Sequence, residues 1–470
     1  MRRPLLTAAA AGVLTLTGCG APPRDQGFSD VAKDVHERTG QTVQWHQSGV
    51  DDAVVAGRVS ALLADNLTPE SAVQIALLNN PRLHATYQSL GVSQADLVQA
   101  GLLRNPTLVA GIKFFGDGPK IELSLVENFL QIFMLPARQR FAEAQLAQAK
   151  ALVAGAIIDV IAEVRWAAYR VLAAQQKLEL QHTVLQAMEA SADLAKRIHD
   201  AGNSSDLQFA SEMAATEQSR LDVSASEDAL LIARERLATL LGLWGPAAVR
   251  WSMSGRLPDL PAEDGTGDGT GLERTAVRAS FDLAAQREGV RAIGERYGLE
   301  RVDAWFGEVE LGAVGERESN GDWGFGPEAG IAIPIFDQGQ GRQAAANAAL
   351  DMAARTYFAT AIELRSQVRV ARSQVRSAHA RARFLYQVLI PLRIRITSES
   401  MLHYNGMLIG PFQALDAKRQ EVETGGQYIE ALEHYWQERT VLDQTLGGRM
   451  SSREATSAPV MGSAQEKRHE

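Results

Sequence analysis

The chain has 470 residues, a net charge of −9 built from 47 basic and 56 acidic side chains, 6 % aromatic residues and one cysteine. That length exceeds what one compact core holds, the charge offers no basic stripe for nucleic acid, and a lone thiol excludes a disulfide framework. Abundant Ala, Leu, Gln, Glu and Arg with few aromatics favour long, closely packed helices.

The chain opens with Arg2 and Arg3, then a short, mostly apolar run from Leu5 to Leu16. A run this short cannot span a bilayer, and its layout is that of a secretory signal. Leu16-Thr17-Gly18-Cys19 is similar to the bacterial lipobox, which implies that residues 1–18 are removed and that Cys19 becomes an acylated, palmitate-bearing N-terminus. Each buried CH₂ of such chains contributes about 0.8 kcal/mol, so two or three of them hold a protein on a membrane. Gly20, standing where an Asp would otherwise follow the cysteine, resembles the pattern sent on to outer-membrane lipid. Residues 19–66 are then a lipid-anchored linker. No later apolar run approaches the roughly 20 residues of a transmembrane helix.

From Leu67 onward the chain repeats itself. Gly202 and Gly406 stand 204 positions apart, as do Arg138 and Arg342. "LATLLGL" closes the first copy near Leu243, and "LDQTLGG" closes the second at Gly448. The expected plan is a first repeat over 67–259, a Gly-rich flexible linker over 260–273, a second repeat over 274–448 and a flexible tail over 449–470. Each repeat begins with a helix, the first capped by Thr68. A β-hairpin follows (107–133 and 302–336), then a long helical hairpin (137–243 and 340–447) turning at Gly202 or Gly406. The linker's Gly-x-Gly-x-Gly lacks the Lys-Ser/Thr ending and the leading strand that a nucleotide loop needs.

The long helices carry a 4-3 apolar stripe, the mark of a coiled-coil seam. In the first copy it runs Val153, Ile157, Val160, Val164, Ala167, Val171, Ala174, Leu178; the second runs from Tyr357 through Leu364, Val368, Ala371, Val375, Ala378 and Ala382 to Leu389. From Arg138 to His199 such a helix would be on the order of 90 Å long, beyond the diameter of a single domain.

The strand runs alternate instead. Phe325, Ala329, Ile331, Ile333 and Ile335 share one face, against Gly324, Gly326, Glu328 and Gly330; Trp305, Val309 and Leu311 oppose Glu308, Glu310 and Gly312. Alternation of this kind over about ten residues marks a membrane β-barrel strand. Two hairpins supply only four strands, and open edges in lipid leave backbone groups unpaired at several kcal/mol each. Three copies would give twelve strands, an even number within the bacterial range.

Enzymatic constellations are missing. Histidines such as His84, His182, His199, His379, His403 and His434 show no metal-ligand spacing, and H-E-x-x-H, C-x-x-C, G-x-S-x-G and P-loop motifs do not occur. The sequence predicts no catalytic residue, no metal site and no cofactor. The competing reading is a periplasmic coiled-coil lipoprotein without a pore.

"AVQIALLNNPRL", "QADLVQAGLLRNPTL", "AGNSSDL…LATLLGL", "IPIFDQGQGR" and the duplication, in that order from about Leu67 to Gly448, resemble the outer membrane efflux protein (TolC) family. The cysteine makes the chain similar to its lipoprotein branch of drug and heavy-metal channels. The resemblance implies a mostly α fold with a small membrane β-barrel: a homotrimer whose four strands per protomer share a 12-stranded barrel, continued by a coiled-coil α-barrel across the periplasm. It also implies a passive conduit docked, through a periplasmic adaptor, to an inner-membrane pump of the resistance-nodulation-division type, and no nucleic-acid partner. Trp305, Val309, Leu311, Phe325, Ile331 and Ile333 would then face lipid. At the periplasmic gate the family places aspartates after each hairpin glycine; Asp206 and Asp416 keep two, and Gln413 stands at a third place. Charge rings of this kind select cations. The alternative for Asp206 is a helix N-cap. Leu408 replaces the family's arginine after the second glycine, so a tyrosine–arginine latch is not expected.

Overall fold

The computed structural model describes residues 25–45, 49–115, 118–267, 269–306, 309–318, 320–331, 333 and 335–451. Residues 1–18 and Cys19 lie outside that set. The chain divides into two units. The first takes in the described residues up to Asp34 together with Ala85–Ala154 and Phe281–Ala361; the second takes in Val35–His84, Gly155–Ser280 and the described residues from Ile362 onward.

In chain order the elements are α1 (Phe28–Thr39), α2 (Gly49–Ala64), α3 (Pro69–Asn79), α4 (Pro81–Ala100), β1 (Thr107–Phe115) and β2 (Gly118–Asn128). Then come α5 (Leu130–Asp200), α6 (Asp206–Leu240), the short α7 (Pro246–Val249), α8 (Leu272–Ala279) and α9 (Phe281–Phe306). After β3 (Val309–Arg317) and β4 (Trp323–Ile331), the chain ends with α10 (Gln340–Phe384), a π-helical turn (Leu385–Leu389), α11 (Ile390–Asn405) and α12 (Pro411–Leu446). The fold is mostly helical with one small sheet. No helix among the described residues is long and apolar enough to cross a membrane.

The first unit contains the sheet. Its order is β1-β2-β3-β4, antiparallel throughout. Beside it in the chain, the predicted linker begins as structure: Phe28 packs edge-on against Tyr87 at 4.9 Å, Val31 is buried, and Asp30 pairs with Lys150 at 2.6 Å. The segment expected to link the lipid anchor to the first repeat, 19–66, is thus helical where it is described, and α1 carries an apolar face that seats in the unit.

Both β-hairpins are shorter than expected. The first strand pair ends at Asn128 and α5 begins at Leu130, so 130–133 are helical; the second pair spans Val309–Ile331 rather than 302–336. Residues 302–306 close α9, which moves Trp305 from a strand to the last helical turn. "RVDAW" has an apolar alternation compatible with either state, and its attachment to the preceding helix decides it.

The second unit is the helical body. Thr68 caps α3 as expected: its hydroxyl accepts from Ser71 N–H at 3.1 Å while Ser71 Oγ accepts from Thr68 N–H at 2.8 Å, with Pro69 at the first helical position. The two asparagines of "LLNNPRL" then join the repeat's start to its end. Asn80 Nδ2 donates to Leu240 O at 2.8 Å, its Oδ1 accepts from the N–H groups of Arg82 and Leu83, and Asn79 Nδ2 donates to Leu241 O at 2.9 Å. The approach is close enough that a Cβ on Gly242, at φ +67°, would lie 2.3 Å from Asn79 O. Gly448 (φ +107°) repeats the arrangement against Ala279 O at 2.2 Å.

The coiled-coil seam is present. Val153 in the first unit and Ile157, Val164, Ala167 and Val171 in the second are buried along α5. On α10 and the following turn, Leu364, Val368, Ala371, Val375, Ala378, Ala382 and Leu385 are buried in the same steps of four and three. Tyr435 and Leu442 of α12 pack on the Ala371–Val375–Ala378 stretch. The stripe does not disclose the π turn at Leu385–Leu389. Its cause is two residues on: Pro391 has no N–H to give a carbonyl four residues back, and the extra residue in the turn absorbs the mismatch.

The inter-repeat segment is not a flexible linker over its described residues 260–267. Leu260 packs on both apolar clusters of the second hairpin. Arg439 Nη1 donates to the carbonyls of Asp264 (3.4 Å) and Gly265 (3.2 Å), Arg372 Nη2 donates to Gly267 O (3.2 Å), and His379 Nε2 lies 2.8 Å from Pro261 O. Glycine serves here because Gly265 adopts φ +70°, a left-handed conformation that side-chain-bearing residues rarely take. The Asp264 carboxyl is held below its ordinary range, first by the hydrogen bond from Thr266 N–H and also by nearby Arg376. The predicted tail likewise begins later than 449, since Arg449 Nε pairs with Asp159 at 2.8 Å; the rest of it, 452–470, lies outside the described residues.

Candidate functional site

Two parts of the chain carry the functional side chains: the sheet of the first unit and the two helical turns of the second. Each follows from its local sequence.

The strand register sorts the sheet into two chemistries. Leu108, Ala110, Ile112 and Phe114 of β1 align with Leu125, Leu123, Ile121 and Pro119 of β2. These align in turn with Ala313, Gly315 and Arg317 of β3, while Glu127 meets Leu311. Val309, Leu311, Ala313, Gly315 and Arg317 then face Ile331, Ala329, Pro327, Phe325 and Trp323 of β4. Apart from Glu127 and Arg317, one face is thus apolar across all four strands, and much of it is left exposed by the described residues: Phe325 is 81 % exposed, Ile331 68 % and Ile112 61 %. The Phe325 ring lies over Gly315, where a Cβ would come within 2.9 Å of it, and stacks with Trp323 at 5.8 Å. The other face holds Lys113, Lys120, Glu122, Ser124, Glu310, Glu316, Glu328, Gly111, Gly312, Gly324, Gly326 and Gly330, together with Val109, Val126 and Val314. Lys113 Nζ and Glu122 pair across β1 and β2 at 2.5 Å.

Of the residues expected to face lipid, Val309, Leu311, Phe325 and Ile331 fall together on the apolar face. Ile333 lies two residues past the end of β4 and is exposed. Trp305, as the last turn of α9, is not on the sheet. β1 and β4 each pair along one edge only among the described residues.

At the first turn, α5 ends in a left-handed residue. Gly202 adopts φ +75°, its N–H donates to His199 O at 2.8 Å, and Asn203 N–H donates to Ile198 O at 3.0 Å. This is a Schellman ending, which favours glycine because a side chain clashes there. The second turn uses the same bonds one position later: Met407 N–H donates to Tyr404 O and Leu408 N–H to His403 O, both at 2.9 Å. Its left-handed residue is Met407, at φ +57°, while Gly406 keeps φ −82°. Gly406 is at the turn, as expected, but is not the residue that needs to be glycine.

Asp206 is the first residue of α6, and the cap belongs to its neighbour: Ser205 Oγ accepts from Gln208 N–H at 3.3 Å. The N-cap alternative for Asp206 is thereby excluded. Its carboxylate instead lies 2.7 Å from His199 Nε2. Asp416, within α12, accepts from Arg419 Nη2 and Gln420 Nε2, both at 2.8 Å. Gln413 does a capping task, its Oε1 accepting from Gly410 N–H at 3.2 Å. Sequence reasoning missed His199, Ser205 and Met407. The Ser-Ser-Asp order, with serine favoured at the cap and an acid in the first turn, could have given Ser205; nothing in the sequence points to a left-handed methionine.

In the second unit, partial desolvation of the half-buried Glu433 pushes its carboxyl above its ordinary range, with Arg170 opposing the shift. Among the described residues no three of His, Cys, Asp and Glu gather as metal ligands would.

The chain thus combines a duplicated plan, a four-stranded sheet with one apolar face and two long helical hairpins. Residues 72–243 match the outer membrane efflux protein family model. The chain is 25 % identical, over 82 % of its length and 91 % of the relative's, to the cobalt-zinc-cadmium resistance protein CzcC of Cupriavidus metallidurans. Its fold matches the outer-membrane channel OprN with a TM-score of 0.68 at 20 % identity, covering 81 % of this chain and 90 % of that one. It also matches the open state of the Neisseria gonorrhoeae MtrE outer membrane channel, with a TM-score of 0.66 at 17 % identity over 81 % and 89 % of the two chains. The resemblance read from the sequence is borne out as a similarity: residues 72–243 match that family's model, and the chain is similar over most of its length to CzcC.

Proposed function

We propose that the chain is the outer-membrane channel of a tripartite efflux system, a passive homotrimeric conduit whose cargo is heavy-metal cations. The observation that carries the reading is the four-stranded sheet, largely apolar and exposed on one face, charged and glycine-rich on the other, and open at β1 and β4. Lipid covers the apolar face, and three copies close the open edges into twelve strands. The charged and glycine residues of the opposite face then line water, and energy comes from an adaptor-coupled inner-membrane pump of the resistance-nodulation-division type. The cation cargo is carried over from the name of CzcC. Asp206 and Asp416 supply negative charge at the periplasmic entrance, and Cys19, acylated, anchors the protein in the outer membrane.

Light scattering on the detergent-solubilised protein should give a mass of three chains, and planar-bilayer recordings should give a cation-preferring conductance. Deleting the gene should sensitise cells to cobalt, zinc or cadmium. A monomer that carries no current would overturn the channel; sensitisation to drugs alone would overturn the cargo. Mass spectrometry should find cleavage before Cys19 with acyl adducts.

A further inference from the structure

Arg138 and Arg342 hold the same place in the two repeats, just past the strands, but only one of them has a counterion. Arg342 Nη2 lies 3.4 Å from Asp337. Arg138, near the start of α5, has no carboxylate partner among the described residues: its Nη2 donates to Gln131 O at 3.3 Å, and its Nε–H is enclosed without an acceptor. Neighbouring Arg140 is paired with Glu295 at 3.0 Å, so the gap is particular to this side chain. A second cation stands beside it. The turn after α4 packs on α5, where a Cβ on Gly101 would lie 2.8 Å from Gln139 Nε2, and it carries the exposed Arg104, which also lacks a carboxylate partner among the described residues. Partial burial, and after it the repulsion from Arg104, hold the Arg138 guanidinium below the ordinary arginine range. The surroundings are apolar and open. Leu102 and Leu103 precede Arg104, Phe129 and Phe133 precede Arg138, and all four are exposed, Phe133 at 69 %. The two phenylalanine rings pack edge-on at 5.4 Å.

We propose that Arg104 and Arg138 bind the head-group phosphate of an anionic phospholipid, in the leaflet on the side where α4 and α5 join the sheet. Guanidiniums give charge-assisted hydrogen bonds to phosphate oxygens, and their planar fork suits that geometry better than an ammonium does. Leu102, Leu103, Phe129 and Phe133 lie against the glycerol and the upper part of the acyl chains, as aromatic and aliphatic side chains do at a membrane boundary. Water alone would satisfy the donors but not offset the two charges. A free phosphate would offset the charges but leave the apolar side chains in water. A lipid does both. The second repeat lacks the site because Asp337 already occupies Arg342. The inference rests on the reading of the sheet as inserted in the membrane.

The test is native mass spectrometry of the full-length protein in detergent, titrated with dioleoyl phosphatidylglycerol or with dioleoyl phosphatidylcholine. The wild type should retain phosphatidylglycerol in preference. Arg104→Gln, a change at an exposed side chain, should weaken that binding about five-fold, the effect of one cation at an anionic surface. Arg138→Gln should weaken it by at least as much, and Arg342→Gln should leave it unchanged. Equal retention of the two lipids, an Arg104→Gln or Arg138→Gln variant that binds as tightly as the wild type, or an equal loss in Arg342→Gln overturns the inference. Displacement of the lipid by millimolar inorganic phosphate also overturns it, since the site would then take phosphate without acyl chains. Planar-bilayer conductance of the same samples separates the two readings. A channel that conducts but shows no lipid preference overturns this inference alone; a protein that neither retains lipid nor conducts overturns both.

Discussion

The two helical turns come from one duplicated plan and solve the same steric problem with different residues. In the first, Gly202 takes the left-handed position that ends α5; in the second, the ending slips by one residue and Met407 takes it although Gly406 is adjacent. The closing turns of the repeats did not drift: Gly242 and Gly448 are both left-handed and both pressed against a carbonyl. The difference is one of surroundings. An exposed tip lets the ending slide along the chain at the cost of about 1 kcal/mol for a non-glycine residue. A turn packed against its own repeat's first helices has no room to slide.

The largest expected effect tests the packed turns. Gly242→Ala and Gly448→Ala each combine a strained φ with a Cβ inside 2.4 Å of a carbonyl, and each should cost about 3 kcal/mol or more. Thermal melts followed by helical circular dichroism would show it; a loss at only one of the two would break the equivalence of the repeats.

Next comes the sheet. Ile331→Arg should cost about 2–4 kcal/mol in membrane assembly if that face meets lipid, while Glu328→Ala on the opposite face should be tolerated. Heat-modifiable gel mobility and membrane yield would report it, and equal damage at both would contradict the assignment of faces.

The exposed tips give a finer contrast. Gly202→Ala should lose about 1 kcal/mol and Met407→Gly should gain a similar amount, whereas Gly406→Ala, at φ −82° with its nearest neighbour at 3.5 Å, should change little. Ser205→Ala should cost about 1 kcal/mol as the true cap. A Gly406→Ala penalty matching that of Gly202→Ala would show that the ending had not slipped.

The smallest effect is a titration. Glu433 of the second hairpin is half-buried near Arg170 and Lys177 of the first, and its carboxyl is raised above the ordinary 4.5 chiefly by the resulting desolvation. The folded form therefore binds the proton more tightly than the unfolded form. Stability should rise as pH falls through the raised value and level off below about 4.5. Urea unfolding midpoints against pH should show this segment of slope, and Glu433→Gln should flatten it.

The sequence by itself determined the periodicities and the duplication, because both are written in residue spacing. The 4-3 stripe named the buried side of α5 and α10, the alternation named the two faces of the sheet, and the 204-residue offset located both turns. Tertiary structure decided what depends on partners distant in the chain. Trp305 became helical because α9 ran on into it. The glycine-rich segment became a docked strap because Arg372 and Arg439, 105 and 174 positions away from the carbonyls they bind, reach its backbone. Asp206 lost its capping role to Ser205 and gained His199 because a closed turn brings residues seven apart within 2.7 Å. Spacing encodes which face of an element is apolar; it does not encode which donor a bare carbonyl or carboxylate will meet once the elements pack.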